Sequence, residues 1–280
     1  MRLALSIFPT AETPPPAALG RLAEERGFEA LLFPEHTHIP ASRESPHPAG
    51  IDLPEEYARI LDPFVASLAA AAATTTLRVG TAICLIGQRD PIVTAKEVAS
   101  IDVVTGGRFE LGVGAGWNVE EMVNHGVDPD HRFRRMREAV EAMTAIWTAD
   151  EASYAGEHFA FERIWSWPKP VQRPRPPVLL GGNGAGAVQR ALRWADTWMP
   201  NTAREADGGD DALVARIAEL KARAERPIGV TLSSSPLKPQ RLERYRDAGV
   251  DRFLFYLPSA GPDAIEERLE AIEASAAHLG

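Results

Sequence analysis

Short apolar runs alternate with amphipathic stretches along almost the whole chain. Residues 2–8 form an apolar run, and three apolar residues then recur at helical spacing before Gly27. A glycine in that position is typical of the left-handed residue that follows the end of a helix. Residues 28–33 are apolar again, and residues 249–255 repeat the same order of glycine, acidic residue and apolar run. The pattern therefore predicts a repeated unit in which a helix is followed by a buried strand.

Eight such strands are predicted, each followed by a helix. The strands are residues 2–8, 29–34, 78–85, 108–114, 177–181, 196–200, 227–232 and 251–257. The helices are residues 14–26, 62–75, 91–105, 131–148, 184–195, 208–224, 237–248 and 262–278. Apolar strands that alternate with helices indicate an α/β protein with a covered parallel sheet, and eight of them favour a closed (β/α)8 TIM barrel. We expect one barrel domain over residues 1–280, the alternative being a doubly wound sheet with a second domain.

Two connections are longer than usual, and we interpret them as insertions after strands 2 and 4. Residues 34–61 and 149–177 are both rich in proline. Long connections in a compact domain usually carry function. The first insertion follows a strand, so we expect it at the carboxyl end of the barrel, where the active sites of such barrels lie. The second also contains Trp165 and Trp167, which favours an ordered flap.

Composition and charge narrow the possible partners. The 280 residues carry a formal net charge of -9, which argues against binding to nucleic acid or to an anionic membrane. The single cysteine, Cys84, excludes an intramolecular disulfide and favours a reducing compartment. No apolar run approaches the ~20 residues of a membrane span, and the amino terminus lacks the apolar stretch of an export signal. We therefore expect a cytoplasmic protein that acts on a small molecule.

Glycines cluster after the predicted fourth and fifth strands. In residues 112–118 they allow either close approach of a ligand or a tight turn at the barrel rim. Residues 181–187 open a helix, so their successive backbone N–H groups predict an anion site. Gly182, Gly184 and Ala187 also match a dinucleotide-binding pattern, but they come too late in the chain for a first βα turn. A phosphate site at the barrel rim fits better.

The end of the predicted second strand carries candidate catalytic residues, namely Glu35, His36 and His38. Imidazole can transfer protons or bind a ligand or metal. No further cysteine, histidine or carboxylate is spaced to complete a metal site with them, so no metal is expected. The motifs of zincins, α/β-hydrolases, dithiol redox proteins and P-loop enzymes are absent. Four aromatic residues either pack in the core and flap or line a substrate pocket: Tyr57, Trp117, Trp165 and Trp167.

Three stretches together resemble the luciferase-like monooxygenase superfamily. They are residues 33–40, 105–117 and 165–172, and the similarity extends over nearly the whole chain. The sequence is most similar to the branch of deazaflavin-dependent oxidoreductases that use coenzyme F420. This resemblance implies a (β/α)8 barrel with the coenzyme in its carboxyl-terminal mouth. Members often carry a non-proline cis peptide in strand 3, and the matching bond here is Ala82–Ile83.

The resemblance also implies roles for single residues. Glu35 and His36 match positions that contact the coenzyme head or the reaction centre, and Thr81 would lie beside the ring. The other implied cofactor-binding residues are Ala82 and Ile83 at the ring, Gly114, Ala115 and Gly116 at the ring and ribityl chain, and Gly182, Gly184, Ala185, Gly186 and Ala187 at the phosphate.

One position departs from the family pattern. Some relatives that oxidise sugar phosphates have a glutamate acid after the strand-4 glycines, where this chain has Trp117. A proton donor must then come from elsewhere, with His36, His38, Glu35 and Tyr57 as candidates. Trp117 indicates an apolar or aromatic substrate rather than a sugar phosphate.

Three hypotheses of function follow. In the first, the protein is an oxidoreductase that exchanges a hydride between coenzyme F420 and a small apolar or aromatic organic substrate. In the second, the same fold uses reduced FMN and oxygen as a monooxygenase. In the third, the protein binds a flavin without catalysis. Dimers are common in the superfamily, so the resemblance also implies a homodimer.

Overall fold

Eight parallel strands close into a barrel in the computed structural model, which describes residues 1–202 and 208–279. The barrel strands are β1 (Arg2–Ser6), β2 (Ala30–Phe33), β3 (Arg78–Thr81), β4 (Phe109–Val113), β7 (Val178–Gly181), β8 (Thr197–Met199), β9 (Gly229–Leu232) and β10 (Arg252–Tyr256). Their order around the barrel is β1-β10-β9-β8-β7-β4-β3-β2. Strands β5 (Ala152–Ala155) and β6 (Ala160–Ile164) form a separate antiparallel hairpin. The predicted (β/α)8 barrel is confirmed, and the alternative of an open doubly wound sheet is wrong.

Helices surround the barrel where the apolar periodicity predicts them. They are α1 (Pro16–Glu25), α2 (Pro63–Ala72), α3 (Pro91–Val104), α5 (Arg132–Thr148), α6 (Ala187–Trp194), α7 (Gly209–Arg223), α8 (Pro239–Asp247) and α9 (Pro262–Ala276). A short helix that the sequence analysis missed, α4 (Val119–Asn124), follows β4. Asp62 and Asp90 cap α2 and α3, and each is followed by a proline at the first helical position. The carboxylate of each aspartate accepts two backbone N–H groups of the first helical turn. No helix in the described part of the chain is long and apolar enough to cross a membrane.

The inside of the barrel is filled by apolar side chains, so it is a packed core and not a channel. Small and large residues from several strands fill this space together. The buried interior cluster consists of Ala4, Ala30, Leu32, Ala82, Leu179, Met199 and Leu254, with Ile83 packed against it. Any ligand must therefore bind at an end of the barrel.

A buried charge network lies at the amino end of the barrel, where its residues line a small cavity. Arg252 donates to both oxygens of Glu110, at 3.2 and 2.7 Å, and also to Glu29 at 3.2 Å. Arg78 forms a second ion pair with Glu110. Burial alone raises the pKa of Glu110, but the charges and hydrogen bonds of the two arginines outweigh it and lower the pKa from 4.5 to about 2. Because these charges pair with one another, the carboxyl end of the barrel is the better place for a ligand.

The two insertions begin at opposite ends of the barrel. In residues 34–61, Tyr57 packs on Phe8 beyond β1, with 4.5 Å between ring centroids, so this insertion is at the carboxyl end as predicted. Residues 149–177 follow helix α5 rather than a strand, and so begin at the amino end. Farther along this second insertion, the backbone N–H of Gln172 donates to Asp102 near the end of α3 at 3.0 Å.

Candidate active site

The chain leaves strand geometry after β3, at the mouth of the barrel. The Ala82–Ile83 peptide bond is cis, which confirms the expectation drawn from the family resemblance. The side chain of Ile83 lies between the ends of β4 and β7. A Cβ atom on Gly114 would lie 2.5 Å from Ile83 Cδ1, and one on Gly181 would lie 2.7 Å from Ile83 Cγ2. Both glycines therefore make room for Ile83.

Glu35 lies buried beside this segment, with 3% of its surface exposed. Its Oε2 accepts the backbone N–H of Leu85 at 2.6 Å, and its Oε1 accepts Nε of Arg89 at 2.7 Å. Arg89 also donates to Asp62 at 2.9 Å. Both carboxylate oxygens are thus bound to the segment between β3 and α3. These contacts show that Glu35 positions this segment, and the catalytic and coenzyme-binding roles expected for it stay predictions.

His36 faces a buried carboxylate that the sequence analysis missed. Its Nδ1 lies 2.8 Å from Oε2 of Glu121, and the two side chains are 6% and 1% exposed. Asn118 positions Glu121 by capping helix α4, accepting its backbone N–H at 3.0 Å. The Asn-x-x-Glu spacing after the strand-4 glycines, which is similar to a capping box, was the available signal.

The contact with Glu121 fixes the role of each nitrogen in His36. An ionised carboxylate only accepts hydrogen bonds, so we assign the proton of the neutral ring to Nδ1. Within the described part of the chain, Nε2 has no hydrogen-bond partner. Oε1 of Glu121 is buried and also lacks a partner there. The pair can therefore hold a proton at Nε2 while the carboxylate stabilises the charged ring.

Aromatic side chains surround His36. The ring centroids of Tyr57 and Trp117 lie 5.2 and 5.8 Å from that of His36. His47 adds to this wall, with its Nε2 3.0 Å from the hydroxyl of Tyr57 and its ring 5.7 Å from Trp117. Burial raises the pKa of Tyr57, so its hydroxyl stays protonated. The structure thus brings Tyr57 and Trp117 together with His36, whereas His47 was not identified because its proline-rich surroundings gave no periodic signal.

His38 lies apart from this group. Its Nδ1 is 3.0 Å from the hydroxyl of Thr37, and its Nε2 is 2.9 Å from the side-chain amide of Asn124. Its ring centroid is 5.4 Å from that of His125. Because β2 ends at Phe33, residues 36 and 38 do not continue a strand and do not share a face. The structure does not bring His38 to His36, and the catalytic role expected for His38 stays a prediction.

Trp165 and Trp167 also lie away from the mouth. They are 79% and 57% exposed. The carbonyl of Trp167 accepts a hydrogen bond from Lys96 of α3, and its ring lies 5.0 Å from Nζ of Lys169. Lys169 in turn donates to the last carbonyls around the end of α5. Trp167 thus contacts α3 and Lys169, Trp165 is exposed, and the expectation that they line a substrate pocket stays a prediction.

The turn after β7 offers unpaired amides. Gly182 and Gly186 have φ values of +103° and +75°, which glycine adopts without a steric penalty. Among the hydrogen bonds of residues 1–202 and 208–279, none uses the backbone N–H groups of Asn183, Gly184, Ala185 or Gly186. Helix α6 begins directly afterwards, and its dipole adds a partial positive charge. We call residues 182–187 the anion turn, and its amides suit a phosphate group.

Two arginines border the anion turn. Arg216 donates to the carbonyls of Asn183 and Gly184 at 2.6 and 3.2 Å, and Arg190 donates to that of Ala185 at 2.9 Å. Nε of Arg190 is buried and has no partner in the described chain. Burial and the nearby charge of Arg216 lower the pKa of Arg190. An anion bound in the turn would offset this repulsion and pair with the free Nε, so the residues present fit an anionic ligand.

The remaining predicted cofactor residues differ in what they offer. The hydroxyl of Thr81 donates to the carbonyl of Gly112 at 2.6 Å, so it is used within the sheet. Ala115 packs against the core. Gly116 has a φ of +83°, and a Cβ there would lie 3.4 Å from Nε2 of Gln88. Both amide atoms of Gln88 are buried without a partner in the described residues. A polar ligand edge would satisfy this amide.

Comparison with known proteins agrees with the geometry. The family model described as luciferase-like monooxygenase matches residues 12–237. The chain belongs to the luciferase-like monooxygenase family. An uncharacterized protein of Mycobacterium tuberculosis is 42% identical to this family member over 284 aligned residues, covering 97% of this chain and 98% of the relative. Members of the luciferase-like family are oxidoreductases, including monooxygenases.

Two further similar proteins are named for different cofactors. The FMNH(2)-dependent dimethylsulfone monooxygenase of Pseudomonas putida is 35% identical over 156 residues, which are 55% of this chain and 41% of that protein. The coenzyme F420-dependent tetrahydromethanopterin reductase of Methanopyrus kandleri is 17% identical, with a TM-score of 0.69 and coverage of 97% and 96%. At that identity the reductase shows a shared fold. A sequence relative is thus named for FMNH(2), and a protein with the same fold is named for coenzyme F420.

Proposed function

We propose that this family member transfers a hydride between coenzyme F420 and a small apolar or aromatic organic substrate. The observation that carries the proposal is the anion turn, whose free amides and two flanking arginines suit a ligand with a negatively charged tail. The His36–Glu121 pair lies at the same end of the barrel. A redox coenzyme with an anionic tail matches both features.

Residues of the mouth would hold the coenzyme at two places. Ala82, Ile83 and Gly114 would border its ring, and the amides of the anion turn would bind its phosphate. The orphaned amide of Gln88 would bond to a polar edge of the ring system. When bound, the deazaflavin supplies two-electron hydride transfer, which the protein side chains cannot provide.

The protein itself would supply the proton and would exclude water from the site. His36 would hold a proton at Nε2, and the ionised Glu121 would stabilise the charged ring. Tyr57 and Trp117 would pack against the substrate and exclude water from its reacting face. With Trp117 in place of a carboxylate, the wall favours an apolar or aromatic substrate over a phosphorylated one.

A second candidate is an FMNH2-dependent monooxygenase that uses oxygen. The similarity to the dimethylsulfone monooxygenase of Pseudomonas putida supports it. The anion turn would then bind the FMN phosphate. The same site residues serve both candidates, so the test must compare the two coenzymes directly.

The experiment is a fluorescence titration of the purified protein with F420 and with FMN, followed by turnover measurements with and without oxygen. We expect saturable F420 binding, FMN binding at least tenfold weaker, and oxygen-independent turnover of small aromatic or apolar substrates. Binding of FMN alone, with product that forms only in oxygen, would favour the monooxygenase. Saturable coenzyme binding without turnover across a broad substrate panel would favour a non-catalytic flavin-binding protein.

We also propose a homodimer formed through α2 and α3. Helix α3 is apolar on two sides: Ala95 and Val98 are buried, whereas Val93 and Val104 are 56% and 70% exposed. Val93 and Val104 are separated by about three helical turns, so they lie on one stripe. Other exposed apolar residues of these helices are Val65, Leu68, Ile92 and Val103. An exposed patch of this kind is typical of a protein interface.

A further inference from the structure

A cluster of metal-binding side chains lies where the β5–β6 hairpin meets the start of α5. His131 directly precedes α5, and Glu157 and His158 are at the hairpin tip. One ligand atom from each of the three lies within 4.8 Å of the others. The rings of His131 and His158 are 5.4 Å apart. The sequence analysis expected no metal because it considered only partners for His36 and His38.

The backbone at the hairpin tip is held in place without a ligand. The N–H of His158 donates to Oε2 of the buried Glu138 at 2.8 Å. A Cβ atom on Gly156 would lie 2.5 Å from the same oxygen, so the absence of a side chain there permits this contact. The guanidinium of Arg135 lies 4.3 Å from the ring of Phe159. Only side-chain rotations are therefore needed to complete a site.

Each of the three side chains has capacity left for a ligand. Nε2 of His158 is buried and has no partner in the described chain. Arg134 pairs with Oε2 of Glu157, while Oε1 has no hydrogen-bond partner among the described residues. His131 is only loosely held, with its Nδ1 3.6 Å from Oδ2 of Asp128.

We propose that His131, Glu157 and His158 bind a divalent transition metal ion of the Zn²⁺ type, with water in the fourth position. Two imidazoles and one carboxylate are ligands that Zn²⁺ accepts, whereas Ca²⁺ and Mg²⁺ prefer oxygen alone. Metal–ligand distances of ~2.0–2.2 Å place tetrahedral ligand atoms roughly 3.4 Å apart. Since the ligand atoms lie within 4.8 Å, shifts of about an ångström complete the geometry.

Charges of both signs surround the cluster. Arg132, Arg134 and Arg135 lie nearby, Arg137 pairs with Glu138 at 3.6 Å, and the carboxylate of Asp128 lies beside His131. A bound ion would link the hairpin tip to the beginning of α5. Because the ion would bind the folded chain and not the separated ligands, it would stabilise the second insertion against unfolding.

The test is a calorimetric titration of the full chain, without a polyhistidine tag and after chelator treatment, with ZnCl2. We expect one ion per chain, a thermal midpoint that rises with Zn²⁺, and no response to MgCl2. His158→Gln should weaken Zn²⁺ binding at least tenfold and abolish the thermal shift. His125→Gln is the matched control, because the His38–His125 rings have the same 5.4 Å separation but lie outside the three-residue cluster.

Two results would overturn the proposal. One is the lack of saturable Zn²⁺ binding by the wild-type protein. The other is a His158→Gln variant that binds Zn²⁺ as tightly as the wild type. If His158→Gln unfolds, Glu157→Gln replaces it, since Glu157 is half exposed and its substitution should leave the fold intact. Unchanged Zn²⁺ affinity in that variant would equally count against the site.

Discussion

Gly184→Asp is the substitution that tests the anion turn most directly. A Cβ atom at Gly184 meets no atom within 4 Å, so the new side chain should fit without moving the backbone. Its carboxylate would lie among the free amides and compete with the bound anion. Two unit charges about 4 Å apart repel by ~4 kcal/mol at an effective dielectric constant of ~20. That energy corresponds to roughly a thousandfold increase in the Kd of the coenzyme.

The assay is a fluorescence titration of coenzyme into wild-type, Gly184→Asp and Gly184→Asn proteins, with thermal unfolding measured on each. Asparagine has nearly the shape of aspartate without its charge, so its affinity should stay within a few-fold of the wild type. All three proteins should unfold at similar temperatures. Wild-type affinity in a folded Gly184→Asp protein would refute the anion site. Equal losses in both variants would show that space, not charge, matters at this position.

Three further substitutions test other parts of the molecule. Glu121→Gln should lower kcat about 10²-fold by removing the charge that stabilises protonated His36, with circular dichroism unchanged; a wild-type kcat would contradict this role. Glu110→Gln should lower the free energy of unfolding by about 3–5 kcal/mol in denaturant titrations, because it removes the charge of one of the two carboxylates that pair with the buried Arg252; a loss below ~1 kcal/mol would contradict this. Since folding lowers the pKa of Glu110 from 4.5 to about 2, its contribution is complete above pH 4.5 and lost as the pH falls toward 2, a loss that the variant should lack. Val93→Glu should convert the proposed dimer into a monomer in light-scattering measurements, and a dimer mass for both proteins would exclude α3 as the interface.

The barrel could be predicted because each of its strands is a continuous apolar run followed by a helical repeat. Strand β10, for example, reads Arg-Phe-Leu-Phe-Tyr and is buried almost throughout. The β5–β6 hairpin was missed because polar residues interrupt both of its strands, which are mostly exposed or partly exposed and form no apolar run. Strand β3 was predicted too long because the apolar pattern continues through Leu85, although the regular strand ends at Thr81 and an isolated bridge then joins Cys84 to Val113. The apolar pattern along the chain indicates burial, and it does not indicate the residue at which a regular strand ends.

The candidate site was only partly predictable. His36 was identified from its place after a strand, but its partner Glu121 lies 85 residues away and becomes visible only when β2 and β4 are brought together. The role of Glu35 depends on the backbone N–H of Leu85, 50 residues later, which no side-chain pattern could reveal. The two exposed tryptophans lie away from His36 for a topological reason: their connection follows a helix, and such a connection begins at the amino end of the barrel.

The packing of Ile83 between Gly114 and Gly181 couples three positions that are far apart in sequence. Alanine at either glycine collides with Ile83, so neither glycine can be enlarged alone. Shortening Ile83 to alanine would first open a hollow, and a methyl group from position 114 or 181 could then fill it. An engineer who wishes to reshape the floor of this mouth must therefore vary the three residues as a set. The same constraint applies to natural sequences. Homologues whose barrel mouth has a different shape should therefore carry compensating changes at these three positions.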